Sequence, residues 1–275
     1  MTRSPQLIWF SLLILTFALI AAGCQEEDPT PTVTVPTPTA TPILVGLSSK
    51  AITIEEIVTS NYPDGSGEHL IQFLVDNRQN LLEDLTNGAI AVAILHMSEA
   101  EPSWWTNPIA MDGLAIIVHP SNPVRDIRMS DLRDLFSGRI RSWSELGGNT
   151  NSVDIVIPIP GSGTLEDFQE IVMLDAEFSG KTQVVSSDQT LQQMVLANPS
   201  AVGLSMVGLA EQSIALSLGG IDPVQENLND QDYPLVIPLY LVSRNEPEGE
   251  IRRLLAWLQS EQGQAILSEY YGRVR

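Results

Sequence analysis

Two glycines and two hydroxyl residues stand together in the run Gly161, Ser162, Gly163 and Thr164, between a predicted strand and a predicted helix. Glycine lets a backbone approach a ligand closely, and hydroxyl groups donate hydrogen bonds. Unpaired amides at a helix start add partial positive charge, which suits a small oxyanion. The alternative is an ordinary helix cap, in which Ser162 or Thr164 accepts hydrogen bonds from those amides. Spacing alone favours the cap, because short glycine-rich runs are common.

Polar residues also follow three predicted strands in the first third of the chain. Ser48 and Ser49 follow the first strand, Asn77 follows the second, and His96 follows the third. In open α/β sheets, ligands bind at the carboxyl ends of the strands, so these residues are candidates for a binding site. His96 could donate a hydrogen bond, or carry charge at lower pH, although a lone histidine in this position is more often structural.

Arg78, next to Asn77, has two interpretations. It could supply the positive charge that an anion requires, or it could be a solvated residue at the start of a helix. The sequence favours the solvated interpretation, because charged residues at helix starts usually face water.

The elements that would position these residues follow an α/β pattern. Short apolar runs predict strands at 43–47, 70–75 and 89–95, and helices at 52–58 and 79–86 lie between them. A second unit has predicted strands at 113–118, 154–159, 184–185 and 202–205. In this unit Ser130 is a candidate N-cap, and Pro158 places its strand at an edge or near an end. The C-terminal segment 251–270 predicts a helical pair. This order favours parallel sheets covered by helices.

Composition excludes several classes of function. The 275 residues contain 14 basic and 34 acidic side chains, for a net charge of -20, which repels nucleic acid. A single cysteine excludes an internal disulfide and a multi-cysteine zinc site. Neither a hydrolase elbow, nor a metal-ligand spacing of histidines, nor a nucleotide-binding loop occurs. We therefore expect neither catalysis nor a cofactor or metal.

The N-terminus has the layout of a secretory signal peptide, with Arg3 before the apolar run 7–22. Residues 20–24, which end at Cys24, resemble a bacterial lipobox. That resemblance implies cleavage after residue 23, lipidation of Cys24 and anchoring to the outer face of the cell membrane. The alternative is an uncleaved membrane anchor. Residues 24–42 predict an extended linker, which is polar and acidic at 25–28 and alternates proline with threonine at 29–42.

Three segments in a characteristic order, 116–124, 132–138 and 142–148, resemble the phosphate-type solute-binding proteins of bacterial ABC transporters. The loop at 161–164 and the segment 198–203 follow in the family's order. The resemblance implies a type II periplasmic-binding fold with two α/β lobes, a hinge crossed twice and an enclosed ligand. It implies lobe 1 at 43–118, lobe 2 at 119–204, and a return to lobe 1 at 205–275. The resemblance also implies that a permease is the partner, and we expect the protein to be a monomer.

One departure concerns the ligand, because Pro158 stands where phosphate-binding members of the family usually carry an arginine. The expected ligand is therefore phosphate or a related oxyanion. A tethered sensory module for a different small solute, without a transport role, is the alternative function. The predicted ligand-binding residues are Ser48, Ser49, Asn77, His96, Gly161, Ser162, Gly163 and Thr164.

Overall fold

The computed structural model describes residues 42–63, 70–100, 102–210 and 213–274. These residues belong to one compact unit, Ala40–Arg275. The predicted signal peptide, Cys24 and the linker up to residue 41 lie outside the described residues. Within the described ranges, no helix combines the length and the apolar character needed to cross a membrane.

Strands and helices alternate along most of the chain. The strands are β1 Ile43–Ser48, β2 Ile71–Asp76, β3 Val92–His96, β4 Trp105–Val118, β5 Asp126–Ile127, β6 Asp154–Pro158, β7 Gln183–Val185, β8 Ala201–Met206, β9 Ile214–Ala215, β10 Ser217–Leu218 and β11 Val236–Ser243. The helices are α1 Thr53–Asn61, α2 Arg78–Asn87, α3 Met129–Phe136, α4 Thr164–Phe168, α5 Asp188–Ala197, α6 Gln225–Asn229, α7 Gly249–Leu258 and α8 Glu261–Leu267.

One sheet of nine strands runs through the described part of the chain. Its main order is β2-β1-β3-β11-β4-β8-β6-β7, and β9 also pairs with β4. The 14-residue strand β4 pairs with β11 over 105–113 and with β8 over 114–118, in both cases antiparallel. Following the order of strands in the sheet, we call β2, β1, β3, β11 and residues 105–113 of β4 the first lobe, together with the helices on them. Residues 114–118 of β4, with β8, β6, β7 and their helices, are the second lobe. Strand β4 therefore connects the two lobes.

Each lobe has its own hydrophobic core. In the first lobe, Leu47, Ile94 and Leu254 are fully buried in one cluster. In the second lobe, Phe136 and Phe168 pack with ring centroids 4.7 Å apart in another cluster. Because the burial of apolar surface is the main favourable contribution to folding, each lobe stabilises the strand ends that it carries.

The predicted element order is confirmed, with two differences. Pro158 ends β6 between two neighbouring strands, so the prediction of a strand end is confirmed. Ser130 is not the N-cap of α3: the helix begins at Met129, two residues earlier than a cap at Ser130 would place it, after Arg128, which has extended backbone angles. Strand β4 is longer than predicted. Asn107 and Pro108 interrupt the apolar pattern of its first half, so the sequence did not indicate a strand there, although both residues pair with β11. The predicted lobe boundaries stay a prediction.

Candidate functional site

The segments that follow the strands of the two lobes contact each other directly. The backbone amide of Gln79 donates to the carbonyl of Gly161 over 3.3 Å, which joins the start of α2 to the glycine-rich loop. Ser98, just after β3, donates through Oγ to Glu170 Oε2 over 2.6 Å. The structure thus brings residues that follow β2 and β3 of the first lobe against the glycine-rich loop and the segment after it.

The glycine-rich loop directs its amides to a side chain of the following helix. Gly161 N and Gly163 N donate to the two carboxylate oxygens of Glu166 over 2.6 and 2.7 Å. Ser162 Oγ accepts from Leu165 N over 3.3 Å. The loop is therefore capped, as the structural alternative expects, but the carboxylate of Glu166 makes the main contribution and Thr164 makes none.

Two buried hydroxyl groups, one at the end of this loop and one in β8, lack a partner among the described residues. Thr164 is 2% exposed and Ser205, near the end of β8, is fully buried. Neither Thr164 Oγ1 nor Ser205 Oγ has a hydrogen-bond partner among the described residues. Helix α4, which begins at Thr164, contacts β8, which contains Ser205. Because a buried hydroxyl without a partner is costly, each of the two groups would be stabilised by a polar ligand.

Arg78 lies inside the contact between the lobes, and the prediction that it is solvated is wrong. Its side chain is 15% exposed. One guanidinium nitrogen, Nη1, donates to the carbonyl of His96 over 3.1 Å and to Asp167 Oδ1 over 2.6 Å. The arginine stem also lies against Gly163, where an added Cβ would come within 3.3 Å of Arg78 Cβ and Nε. The guanidinium is thus aimed at the second lobe and not at water.

Asp167 is the carboxylate that receives this arginine. It is 1% exposed and also accepts from the backbone amide of Ser98 over 3.1 Å. Burial raises the pKa of Asp167 above its ordinary value, while Arg78 and Ser98 act in the opposite direction. Its Oδ2 has no partner among the described residues. Arg78 therefore favours the charged form of Asp167, against the effect of burial.

The serines at the end of β1 have different surroundings. Ser48 is 2% exposed, and its Oγ accepts from the amide of Lys50 over 3.3 Å, whereas Ser49 is exposed. Lys50 is buried and forms an ion pair with Asp188 at the start of α5, in the second lobe. A second cation of the first lobe thus contacts the second lobe beside Ser48.

The two other predicted residues make structural contacts. His96 Nε2 lies 3.1 Å from Asp112 Oδ2, and both residues are buried. His96 Nδ1 has no partner among the described residues. Asn77 caps α2, because its side-chain oxygen accepts from Asn80 N over 2.9 Å. Ligand roles for His96 and Asn77 stay predictions.

A cavity of about 740 Å³ adjoins the contact between Arg78 and Asp167. Among the described residues Arg78 is the single basic side chain in its lining, together with five acidic ones, Glu83, Glu99, Glu166, Asp167 and Glu170. Trp104, Met97 and Pro102 supply apolar surface. Negative charge therefore predominates beside the one cation of this opening.

Sequence reasoning did not identify Lys50, Asp167 or Ser205. Asp167 lies three residues after Thr164, on the first turn of a helix, where an acidic residue is unremarkable. Ser205 lies inside a predicted apolar strand. An inward polar residue in a buried strand is the one pattern in the sequence that could have drawn attention to it.

A family model described as a PBP superfamily domain matches residues 60–262. The chain belongs to the PBP superfamily. This PBP chain is 30% identical over 156 residues to the phosphate-binding protein PstS of Bacillus subtilis, in a match that covers 56% of the chain and 51% of the relative. The chain spans about half the length of the curated relatives that it matches.

Solved structures agree with the PBP assignment. An ABC-type phosphate transport receptor from Vibrio cholerae matches with a TM-score of 0.71 and 24% identity, over 84% of this chain and all of that chain. A substrate-binding protein assigned to phosphate ABC transport in Clostridium perfringens, with bound phosphate, matches with a TM-score of 0.77 and 24% identity, over 85% of this chain and 99% of that one. The predicted fold class is confirmed, as is the resemblance to the phosphate-type solute-binding proteins.

Proposed function

We propose that this protein binds a small oxyanion, phosphate or a chemically related ion, between its two lobes. The observation that carries the proposal concerns two buried hydroxyls of the second lobe, Thr164 Oγ1 and Ser205 Oγ, which have no hydrogen-bond partner among the described residues. A hydroxyl that is buried without a partner costs about 1–3 kcal/mol, and an oxyanion can accept a hydrogen bond from each. The predicted loop residues Ser162 and Gly163 adjoin Thr164, and Ser48 belongs to the facing lobe.

Arg78 supports the same proposal from the first lobe. Pro158 removes the arginine that the family resemblance leads one to expect on the second lobe. Arg78 extends across the contact to within hydrogen-bond distance of a carboxylate three residues after Thr164. A planar guanidinium recognises carboxylate and phosphate oxygens in the same way. The cation that an anion requires is therefore supplied by the opposite lobe.

We further propose that the protein acts outside the cytoplasm as a lipid-anchored monomer that passes its ligand to an ABC transporter permease. The proposal draws on relatives named as phosphate-binding proteins and on the lipobox-like residues before Cys24. Closure of the lobes around the solute would present a single surface to the permease. Neither a catalytic step nor a cofactor is part of this proposal.

The proposal is tested by thermal unfolding of the purified protein with phosphate, sulfate, molybdate and a panel of neutral solutes. A ligand at roughly 100 times its dissociation constant adds about 2.7 kcal/mol of stability, which raises the midpoint. We expect a rise with phosphate or another oxyanion. A rise only with a neutral solute would contradict the oxyanion site and leave a binding protein for a different small solute, and no rise with any solute would contradict a solute-binding function.

Thr164 provides the matched variants for this assay. Thr164→Val removes the hydroxyl at nearly constant volume, and we expect about tenfold weaker binding of the oxyanion because one charged hydrogen bond is lost. Thr164→Ser keeps the hydroxyl and should bind within a few-fold of the wild type. Equal affinity of the wild type and the valine variant would remove Thr164 from the site.

A further inference from the structure

The groups best suited to hold an anion between the lobes already have carboxylate partners from the chain itself. The amides of Gly161 and Gly163 donate to Glu166, and the guanidinium of Arg78 donates to Asp167. Both acidic residues lie on the first turn of α4, next to each other in the sequence. The chain thus provides its own oxyanions at the site.

The two carboxylates differ in how firmly they are held. Glu166 lies near the surface, with a side chain that is 35% exposed, and it belongs to the same short segment as the amides that it caps. Asp167 is 1% exposed, and its partners Arg78 and Ser98 belong to the other lobe. Displacement of Asp167 from Arg78 therefore changes a contact between the lobes, whereas displacement of Glu166 changes a local cap.

Burial makes Arg78 and Asp167 dependent on each other. A buried carboxylate is strongly disfavoured without a cation, and a guanidinium that is mostly buried requires acceptors. The second nitrogen, Arg78 Nη2, approaches a carboxylate only at 4.0 Å, from Glu166. Among the described residues, Asp167 is therefore the close ionic partner of the one cation beside the cavity.

We propose that Asp167 is a built-in competitor for Arg78, which a solute oxyanion must displace from the guanidinium in order to bind. This inference rests on the proposed function, because it concerns the regulation of the same site. While Asp167 is paired with Arg78, Nη1 is occupied and the charge of the guanidinium is balanced, so the solute gains less from the arginine. An equilibrium that makes only a fraction of the sites available weakens the apparent affinity by that fraction. Asp167 thus sets the affinity and joins the two lobes.

Removal of the carboxylate's charge should expose the competition. Asp167→Asn keeps the size of the side chain, and we expect the variant to bind phosphate about tenfold more tightly than the wild type in isothermal titration calorimetry. Glu170→Gln is the matched control. It removes one negative charge from the same cavity and weakens another contact between the lobes, the one from Ser98 Oγ, but it does not touch Arg78. Its affinity for phosphate should change less than about threefold.

The outcomes separate this inference from the proposed function. Equal phosphate affinity in the wild type and Asp167→Asn would overturn the competitor role and leave the oxyanion site intact. A comparable gain in Glu170→Gln would also overturn it, because general charge removal would then explain the effect. If neither the wild type nor the variants bind phosphate, sulfate or molybdate, both proposals are wrong. Asp167→Ser, also uncharged, replaces the asparagine variant if that variant does not fold.

Discussion

Gly163 combines two constraints at a single residue. Its φ is +88°, in a region that residues other than glycine rarely adopt, and an added Cβ would lie 3.3 Å from Arg78. Gly88, which ends α2, has a φ of +76° but no atom within 4 Å of an added Cβ. The first substitution therefore disturbs both backbone and site, and the second disturbs the backbone alone.

Alanine substitutions at these two glycines should have different effects. Gly88→Ala should lower the free energy of unfolding by about 1–2 kcal/mol and leave phosphate affinity unchanged. Gly163→Ala should lower it by about 1–3 kcal/mol and also weaken phosphate binding, because Arg78 has to move. Urea denaturation and calorimetry measure the two effects. Unchanged affinity in Gly163→Ala would show that the position of Arg78 does not matter for binding.

Single residues show where prediction from sequence ends. The loop at 161–164 and the strand-end residues could be located because glycines, hydroxyls and the ends of apolar runs are local patterns. The partners could not: Arg78 and Asp167 are 89 positions apart, and Lys50 and Asp188 are 138 apart. No local pattern records such a pairing. The charge of Arg78 favoured a solvated side chain, and the contact between the lobes outweighs that preference.

At the scale of elements, α1 and α7 are joined by a hydrogen bond at the end of α1. Tyr62 Oη donates to Glu250, and the ring of Tyr62 packs against Trp257 with centroids 5.5 Å apart. This hydrogen bond is the main reason that the pKa of Glu250 lies below its ordinary value, and Arg253 contributes further. A carboxyl group whose pKa is lower in the folded than in the unfolded state stabilises the fold above its unfolded-state pKa, about 4.3 for glutamate. This stability is lost as the pH falls through the folded-state pKa.

Tyr62→Phe should therefore destabilise the protein in a pH-dependent way. We expect a loss of about 1–2 kcal/mol near neutral pH, where Glu250 is ionised and accepts a strong hydrogen bond. The difference from the wild type should shrink as the pH falls from neutral through the folded-state pKa of Glu250, because the carboxyl group then becomes protonated in both proteins. Urea denaturation at a series of pH values from neutral downward measures the difference. Tyr270→Phe, at an exposed ring, should change stability by less than about 0.5 kcal/mol, and a pH-independent loss in Tyr62→Phe would contradict the role of Glu250.

Elements were the scale at which the sequence was most informative. Apolar runs that end in polar residues predicted β1, β2 and β3, and the glycine after Asn87 marked the end of α2 with the expected left-handed backbone. The first half of β4 was missed because Asn107 and Pro108 interrupt its apolar pattern. Pairing with β11 overrides that local preference. Strand order within the sheet is likewise a property of tertiary contacts.

At the scale of the whole molecule, the two lobes share their central strands. The core of the second lobe includes Leu114 of β4 and Ile237 of β11, and the core of the first lobe includes Ile109 and Leu239 of the same two strands. Because β4 and β11 each contribute residues to both cores, unfolding of one lobe would disrupt strands that the other lobe needs. We therefore expect the two lobes to unfold together.

Matched substitutions in the two cores test this cooperativity. Leu132, in the second lobe, and Leu254, in the first, are both fully buried. Leu132→Ala and Leu254→Ala should each lower the free energy of unfolding by about 2–5 kcal/mol, because each leaves a cavity. If the lobes are coupled through β4 and β11, calorimetry shows one transition in all three proteins, and either substitution lowers its midpoint. Two transitions, of which each substitution shifts a different one, would show that the shared strands do not couple the lobes. In that case closure around a solute would involve two independently stable bodies.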